Sequence, residues 1–373
     1  MLRIVSKRPD TSRLPIEPLG GRMSISYRTA GQLGIVSELE PVIATLIARV
    51  EKDRDAIEDY ILIGRLLRIR GEARRALRLH RNLTVRPNLT GAQKIFLFTE
   101  IGLDVAACRV KDRGESWFLK ALALSKSHVP ALEGLARTYE QLGSHDKAVE
   151  ILARLIRLGR PERSHQAHVL CELALAHLGR GTAGRARRAV ERAIRSDPNC
   201  AYAYVVLSDV FIAARRYDRA IAALRSFLER WPGLSFLALR RLEDVHYRMN
   251  NFPGYEDTLR SMIRTSPDNF YIYFSLARHL RKKHRDREAL EFLKRSLEIN
   301  PLYVNSLRDS IQLLAGEKSG DLTEQTESFF EAFKRSRRFV CPKCLERYIP
   351  VTWNCSKCGH WGSFDIRYEL PAP

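Results

Sequence analysis

Four cysteines near the C-terminal end are the residues best suited to chemistry in this chain. Cys341, Cys344, Cys355 and Cys358 form two Cys-x2-Cys turns separated by ten residues. Each turn places two thiolates on one side of a tight knuckle, and two knuckles bring four sulfurs to the corners of a tetrahedron. Zinc and a single iron both accept that geometry. The spacing therefore predicts one Fe or Zn ion bound by the four cysteines, in a closed structural site with no open position for a substrate.

Other interpretations of these cysteines have less support. Two disulfides would need an oxidising compartment, which no signal in the sequence indicates. A redox thiol pair normally shows a single Cys-x2-Cys turn in a βαβ setting, which is missing here. His360 follows the last knuckle, but four cysteines already complete a tetrahedron, so it is interpreted as a surface residue. The scattered Cys108, Cys171 and Cys200 are interpreted as small buried apolar residues.

The residues around the knuckles predict a small β-type module. Short strands are expected before the first knuckle and after the second. Trp353 and Trp361 are expected to cover the site and exclude water, while Lys343 and Lys357 offset the negative charge of the thiolates. A tail this small is not expected to fold without the ion, so metal binding and folding should be one event.

The elements that precede this module follow a repeat. Pro198, Pro232, Pro267 and Pro301 are spaced 34, 35 and 34 residues apart. A leucine stands twenty-five residues before each proline, and an aliphatic residue stands eight before. A small residue stands twelve before three of them, and Tyr255 breaks that rule before Pro267. A period of 34 with these positions indicates tetratricopeptide repeats, in which two helices pack through a small contact residue and proline ends the second helix.

The repeat predicts an all-α solenoid of tetratricopeptide repeats that ends in the four-cysteine module. About seven units are expected, which exceeds the three or so that a stacked array needs for a continuous core. The predicted organisation is a flexible basic segment at 1–30, a capping helix at 31–56, repeats at 57–301, capping helices at 302–338 and the metal-binding module at 339–373.

Composition narrows the class of protein. The chain has 373 residues, 45% of them hydrophobic, and a formal net charge of +20, so it should fold and attract negatively charged partners. No apolar run reaches the roughly 18–20 residues of a membrane-spanning helix. The first thirty residues have no apolar core of a signal peptide. These features predict a cytoplasmic protein.

Projection of the repeat onto its first helices predicts a basic face with interleaved aromatic residues. Such a face suits an acidic peptide or protein surface, because guanidinium groups bind carboxylates in pairs of hydrogen bonds. The alternative is that these cations are ordinary solvated positions in an arginine-rich chain. The aromatic residues of this face are Tyr202, Tyr247, Tyr271 and Phe274. The candidate partner-binding cations are Arg65, Arg68, Arg137, Arg240, Arg241, Arg248, Arg278, Arg281 and Lys282.

The architecture resembles the lipopolysaccharide assembly protein B family of Gram-negative bacteria, in which such repeats precede a rubredoxin-like module. The segments 70–90 and 148–175 resemble family stretches, and Trp353 and Trp361 stand at matching places around the knuckles. The resemblance implies a non-enzymatic adaptor at the cytoplasmic face of the inner membrane. It implies that the adaptor presents an LpxC-like deacetylase of lipid A synthesis to an FtsH-like membrane protease. It also implies that the metal module packs against the repeats.

Two departures from the family pattern stand out. Family members carry an N-terminal membrane-spanning helix, and none is expected here, so the chain would reach an anionic inner membrane peripherally, through its positive surface or a partner. In the first knuckle, Leu345 stands where glycine is usual after the second cysteine. That position often has a positive φ, which leucine adopts only with strain.

Two other functions are weighed against the adaptor. A nucleic-acid-binding protein would use the basic face and the metal module, but no RNA-recognition motif is present. An enzyme would need a catalytic domain, and the repeats, caps and tail leave no room for one. No P-loop, nucleophile elbow or H-E-x-x-H motif occurs.

Overall fold

The computed structural model describes residues 35–108, 114–315, 337–349, 351–362 and 364–368. Those residues form helices followed by three short strands. The helices are α1 (Ile35–Lys52), α2 (Ile57–Arg70), α3 (Ala73–Leu83), α4 (Gly91–Ala107), α5 (Gly114–Leu124), α6 (Val129–Gln141), α7 (His145–Arg157), α8 (Arg163–Gly179), α9 (Ala183–Ser196), α10 (Ala201–Ala213), α11 (Tyr217–Arg230), α12 (Ser235–Arg248), α13 (Phe252–Thr265), α14 (Phe270–Lys282), α15 (Asp286–Ile299) and α16 (Val304–Ala315). The strands are β1 (Arg337–Val340), β2 (Arg347–Tyr348) and β3 (Asp365–Tyr368).

Helices α2 to α15 form consecutive pairs, as tetratricopeptide repeats do. The fold predicted from the sequence, an all-α repeat solenoid with a small four-cysteine module, is confirmed. The chain divides into two compact units, residues 1–135 and 136–373. The first unit contains α1 to α5, the second contains α7 to α16 and the three strands, and α6 crosses the boundary.

Small residues allow the two helices of a pair to approach closely. In the second unit, Ala186, Ala220 and Ala289 are each completely buried at the position twelve residues before a repeat proline. Leu207, Leu242 and Leu276 recur with the repeat period, and the last two are also completely buried. Burial of these aliphatic positions is the main stabilising contribution within each pair.

Tyr255 occupies the position where the repeat favours a small residue, and it is 2% exposed. Its ring lies against two histidines, with centroids 5.7 Å from His246 on α12 and 5.1 Å from His279 on α14. The pair α12–α13 therefore accommodates a large ring at its contact point. The sequence shows this departure from the pattern but not the two histidines that fill the space around the ring.

The first unit contains a buried polar network instead of a purely apolar core. His80 is completely buried, with Nδ1 2.6 Å from Asp104 Oδ2 and Nε2 3.0 Å from the Ile61 carbonyl oxygen. Arg68 bridges Asp104 and Glu100. Burial raises the pKa of Glu100, but the positive charges of Arg68 and Arg65 outweigh it and lower that pKa to about 2. The Glu100 carboxylate therefore stays ionised at neutral pH, and the network holds α2, α3 and α4 together.

Several expectations from the sequence fall outside the described residues. They are the basic segment 1–30 and any capping helix beyond α16, within residues 316–336. The start of the N-terminal cap at residues 31–34 and the end of the module at 369–373 also lie outside them.

Candidate metal centre and partner surface

A three-stranded antiparallel sheet supports the cysteine cluster, with β1 in the middle of the order β2-β1-β3. Phe339 of β1 pairs with Tyr348 of β2 on one side and with Ile366 of β3 on the other. The first knuckle connects β1 to β2, and the second knuckle lies between β2 and β3. The sheet therefore brings the two Cys-x2-Cys turns together, as the sequence predicts.

The two knuckles have the same backbone hydrogen bonds. In the first, the Leu345 N–H donates to the Cys341 carbonyl and the Cys341 N–H donates to the Glu346 carbonyl, each at 2.9 Å. In the second, Gly359 and Cys355 make the matching bonds, each at 2.8 Å. The residue after the second cysteine is left-handed in both, with φ of 59° at Leu345 and 66° at Gly359. The strain expected at Leu345 is therefore present.

The four sulfurs fit a single tetrahedral ion. All four Sγ atoms lie within 4.8 Å of one another, with 3.7 Å between Cys341 and Cys358 and 3.4 Å between Cys344 and Cys355. Metal–sulfur bonds of about 2.3 Å set tetrahedral sulfurs about 3.8 Å apart. Zinc and iron both satisfy this donor set, and either would lock the two knuckles together without an open coordination position.

Apolar side chains of the module and of α12 surround the sulfurs. Phe339, Phe364 and Ile366 pack there, together with Phe236 from α12. The Tyr348 hydroxyl donates a hydrogen bond of 3.2 Å to Cys355 Sγ. Burial raises the pKa of the Cys355 thiol, but this bond and backbone N–H groups lower it to about 7, which favours the thiolate that binds a metal.

The two tryptophans contact the repeats, whereas the sequence suggested that they cover the sulfurs. The Trp353 ring stacks on Tyr202 of α10, with centroids 5.0 Å apart and an interplanar angle of 18°. The Trp361 ring lies 5.4 Å from His168 of α8. Phe339, Phe364 and Tyr348 provide the aromatic cover instead. The indole rings therefore dock the second knuckle onto the first helices of two consecutive repeats.

A charged cluster supports this docking beside Trp361. His165 Nε2 lies 2.8 Å from Glu140 Oε1, and His165 Nδ1 lies 3.3 Å from Glu162 Oε2. The Trp361 indole N–H points to Glu140 Oε2, with the two heavy atoms 3.4 Å apart. Burial lowers the pKa of His165, but the two carboxylates outweigh it and raise that pKa to about 9. His165 is therefore an imidazolium at neutral pH and holds Glu140 in place for the tryptophan.

The two lysines next to the cysteines have different surroundings. Lys357 forms an ion pair with Glu346 at 2.9 Å, so a carboxylate of the other knuckle already balances its charge. Lys343 is exposed and has no carboxylate ion pair among the residues that the structure describes. His360, interpreted as a surface residue, is partly exposed and its ring lies 6.2 Å from Phe364.

Most cations of the predicted basic face are paired with carboxylates, all on a different helix except for Arg248 and Asp244, which both lie on α12. Arg65 and Arg68 bind Glu100 in the first unit. In the second unit the pairs are Arg241–Asp209, Arg248–Asp244, Arg281–Asp309 and Lys282–Glu243. Arg137, Arg240 and Arg278 are exposed and have no carboxylate ion pair within the described ranges. These three are the cations most available to a partner.

Sequence reasoning missed the residues that receive the module. His165, His168, Glu140 and Phe236 carry no motif, and Tyr202 was expected to face a partner. The signal that was available is the repeat register, since His168 and Tyr202 stand 34 residues apart on the first helices of consecutive units. Their stacking with Trp353 and Trp361 could not be predicted, because it depends on where the C-terminal module packs on the repeats that precede it in sequence.

Family models match part of the repeat region. Two tetratricopeptide repeat family models match residues 171–235 and 131–166. Among solved structures, the C-terminal part of a repeat-containing protein from Cytophaga hutchinsonii aligns with 13% identity over 76% of this chain and 98% of its own. The TM-score of 0.42 is too low to bear on function.

The relatives that cover nearly the whole chain share one name. Lipopolysaccharide assembly protein B of Escherichia coli K12 is 23% identical over 349 residues, which span 92% of this chain and 89% of the relative. The chain is thus similar over nearly its whole length to lipopolysaccharide assembly protein B. The Haemophilus influenzae protein of the same name is 23% identical over 364 residues, 93% of this chain and 90% of its own. In this chain, none of the helices in the described ranges is both long enough and apolar enough to cross a bilayer.

Replacement of a ligand cysteine should remove the ion and unfold the module. Cys341→Ser or Cys355→Ser leaves three sulfurs, and with them a site that no longer encloses a divalent ion. We expect metal content, measured by elemental mass spectrometry, to fall from about one ion per chain to near zero while helical circular dichroism is largely retained. Cys108→Ser, outside the cluster, is the control. Full metal content in either ligand variant would contradict the assignment.

The His165 cluster should make stability depend on pH. Its pKa is raised to about 9 in the folded chain, so its contribution is complete below the unfolded value of about 6.5 and disappears as pH rises through 9. The shift corresponds to at most about 3 kcal/mol. His165→Gln should therefore lower the thermal midpoint strongly at pH 6 and little at pH 9.5.

The control is His284→Asn, because His284 is exposed and asparagine tolerates its φ of 56°. That variant should follow the wild-type profile. Parallel profiles of His165→Gln and the wild type across this range would show that the histidine carries no such contribution.

Proposed function

We propose that the protein is a non-enzymatic adaptor that regulates lipopolysaccharide synthesis by holding client proteins on its repeats. The observation that supports this most is the combination of a closed four-sulfur site with a repeat surface. Such a site offers no coordination position to a substrate, and stacked helical repeats present an extended binding face. The names of the relatives connect the function to lipopolysaccharide assembly.

The client contacts the first helices beyond the docked module. The module already lies on α6, α8, α10 and α12 through Glu140, His168, Tyr202 and Phe236. Two of the three most available cations, Arg240 and Arg278, lie on α12 and α14, and we call the surface around them the α12–α14 surface. It consists of Arg240, Tyr247, Arg278 and Lys282, of which Lys282 is also paired with Glu243.

The chemistry of the α12–α14 surface favours an acidic segment with apolar side chains. Tyr247 is 39% exposed, with the Lys282 ammonium 5.2 Å from its ring centroid. The Arg278 guanidinium lies 5.9 Å from the centroid of Phe274. Arginines held over aromatic rings keep their hydrogen-bond donors free for carboxylates. Such cations steer acidic partners and contribute to the rate of association.

The resemblance to lipopolysaccharide assembly protein B implies which proteins are the clients. An LpxC-like deacetylase of lipid A synthesis would bind the repeats, and an FtsH-like membrane protease would degrade it there. Such presentation requires a position at the cytoplasmic face of the inner membrane. With a net charge of +20, the chain would be attracted peripherally to anionic lipids.

Charge reversal on the α12–α14 surface should weaken client binding. Arg240→Glu with Arg278→Glu places two carboxylates where an acidic segment would bind, so the affinity for purified LpxC deacetylase should fall at least tenfold in biolayer interferometry. In a Gram-negative host that lacks its own homologue, the same variant should leave the deacetylase level high on an immunoblot, whereas the wild type lowers it.

The matched control reverses two exposed arginines on second helices. Arg195→Glu with Arg219→Glu, on α9 and α11, gives the same change in net charge away from the proposed surface. Equal losses for the two pairs would reduce the effect to nonspecific charge. Strong, salt-dependent RNA binding by the wild type without deacetylase binding would instead favour a nucleic-acid function.

A further inference from the structure

The first knuckle of the metal module exposes apolar side chains that the fold does not use. Leu345 is 61% exposed and Ile349 is 66% exposed. Pro342, Lys343 and Arg347 are also exposed in the same short stretch. We call these five residues the first-knuckle tip. Exposed aliphatic side chains next to cations indicate a contact surface.

The backbone at Leu345 shows that its side chain is not there to stabilise the knuckle. Leu345 and Gly359 make equivalent hydrogen bonds and both have a left-handed φ, 59° and 66°. Glycine adopts this conformation freely, whereas leucine is strained in it. The strain is not offset by burial, because most of the Leu345 side chain is exposed. A residue that is both strained and exposed suggests a role outside the module.

The pleat of β2 directs the other tip residues to the same outer face. Tyr348 points inward, since its hydroxyl contacts Cys355 Sγ and its ring lies 5.6 Å from Phe364. Successive strand residues alternate between faces, so Arg347, the other residue of β2, points outward. Ile349 follows the strand directly and is 66% exposed, so a cation and an aliphatic side chain are both open to solvent at this end of β2.

The charges of the tip indicate which kind of partner it binds. Lys343 has no carboxylate ion pair within the described residues, and Arg347 adds a second cation. The carboxylate nearest in sequence, Glu346, is bound by Lys357 at 2.9 Å. The tip therefore offers positive charge and aliphatic side chains with its one acidic group already paired. That combination matches a lipid surface, where phosphates lie directly above the acyl chains.

We propose that the first-knuckle tip is the contact surface for an anionic phospholipid membrane. Leu345 and Ile349 enter the boundary between headgroups and acyl chains, and Lys343 and Arg347 bind lipid phosphates. This inference rests on the peripheral membrane position proposed above and specifies which part of the chain faces the bilayer. Since the second knuckle docks on the repeats through Trp353 and Trp361, the first knuckle is the one available to a membrane.

The test is sedimentation of the metal-loaded full chain with vesicles of phosphatidylglycerol and phosphatidylcholine in equal parts. The wild type should bind them and bind pure phosphatidylcholine vesicles far less. Leu345→Gly with Ile349→Ser should lower the partition coefficient at least tenfold, because two inserted aliphatic side chains are lost. Lys343→Glu should lower it and weaken its dependence on salt.

The single variant Leu345→Gly distinguishes a loss of membrane contact from a loss of module stability. Glycine relieves the strain at φ 59°, so this variant should retain its metal at least as well as the wild type in a chelator titration while binding vesicles less. Leu302→Ser is the matched control, because Leu302 is 85% exposed and lies far from the tip in sequence. It should bind vesicles like the wild type.

The proposal would be overturned if the wild type did not sediment with anionic vesicles, or if the tip variants sedimented as well as the wild type. It would also be overturned if the wild type did not bind vesicles and the tip variants lost deacetylase capture. The last result would assign the tip to a protein partner. Arg240→Glu with Arg278→Glu should still bind vesicles, so failure of the membrane contact is distinguishable from failure of the adaptor function.

Discussion

The mutual repulsion of four thiolates is the constraint on which the C-terminal module depends. Four sulfurs within 4.8 Å of one another cannot all be ionised unless a cation lies between them. The sheet that carries them has strands of four, two and four residues, which bury too little surface to hold the knuckles together. An ion held by the four cysteines would supply the free energy that folds the module.

Closure of the two knuckles around an ion would also position residues outside the cysteine cluster. A closed pair of knuckles fixes Trp353 and Trp361 on one side, against Tyr202 and His168, and exposes Leu345 on the other. The repeats receive the module on their first helices, through aromatic stacking and the paired His165–Glu140 charges. The docked module therefore determines which part of the repeat surface remains accessible to the proposed client.

Local patterns predicted the fold well because its determinants are local. The Cys-x2-Cys spacing determines two identical turns, and the repeat of leucine, alanine and proline determines helix pairs. The ion pairs of the basic face were harder to predict, although they too follow the repeat. Arg65 reaches Glu100 and Arg241 reaches Asp209, so each partner lies close to one period away along the chain. A search for opposite charges one period apart would have found them.

The contacts between the module and the repeats could not be predicted from the sequence repeat. The pairing of Trp353 with Tyr202 joins residues about 150 positions apart, and no local rule states where a folded tail returns to its own array. The tryptophans were therefore assigned to the sulfurs, their neighbours in sequence. Leu345 is different, because its strain was visible in the sequence while its exposure required the three-dimensional structure.

Hydrogen exchange with and without a metal chelator tests the central claim most directly. If the ion folds the module and the module covers the repeats, its removal should speed exchange throughout residues 337–368. It should also speed exchange around His168 and Tyr202 on α8 and α10, while the second helices α9 and α11 keep their protection. Unchanged exchange at those first helices after complete loss of metal would contradict an ion-dependent module docked on the repeats.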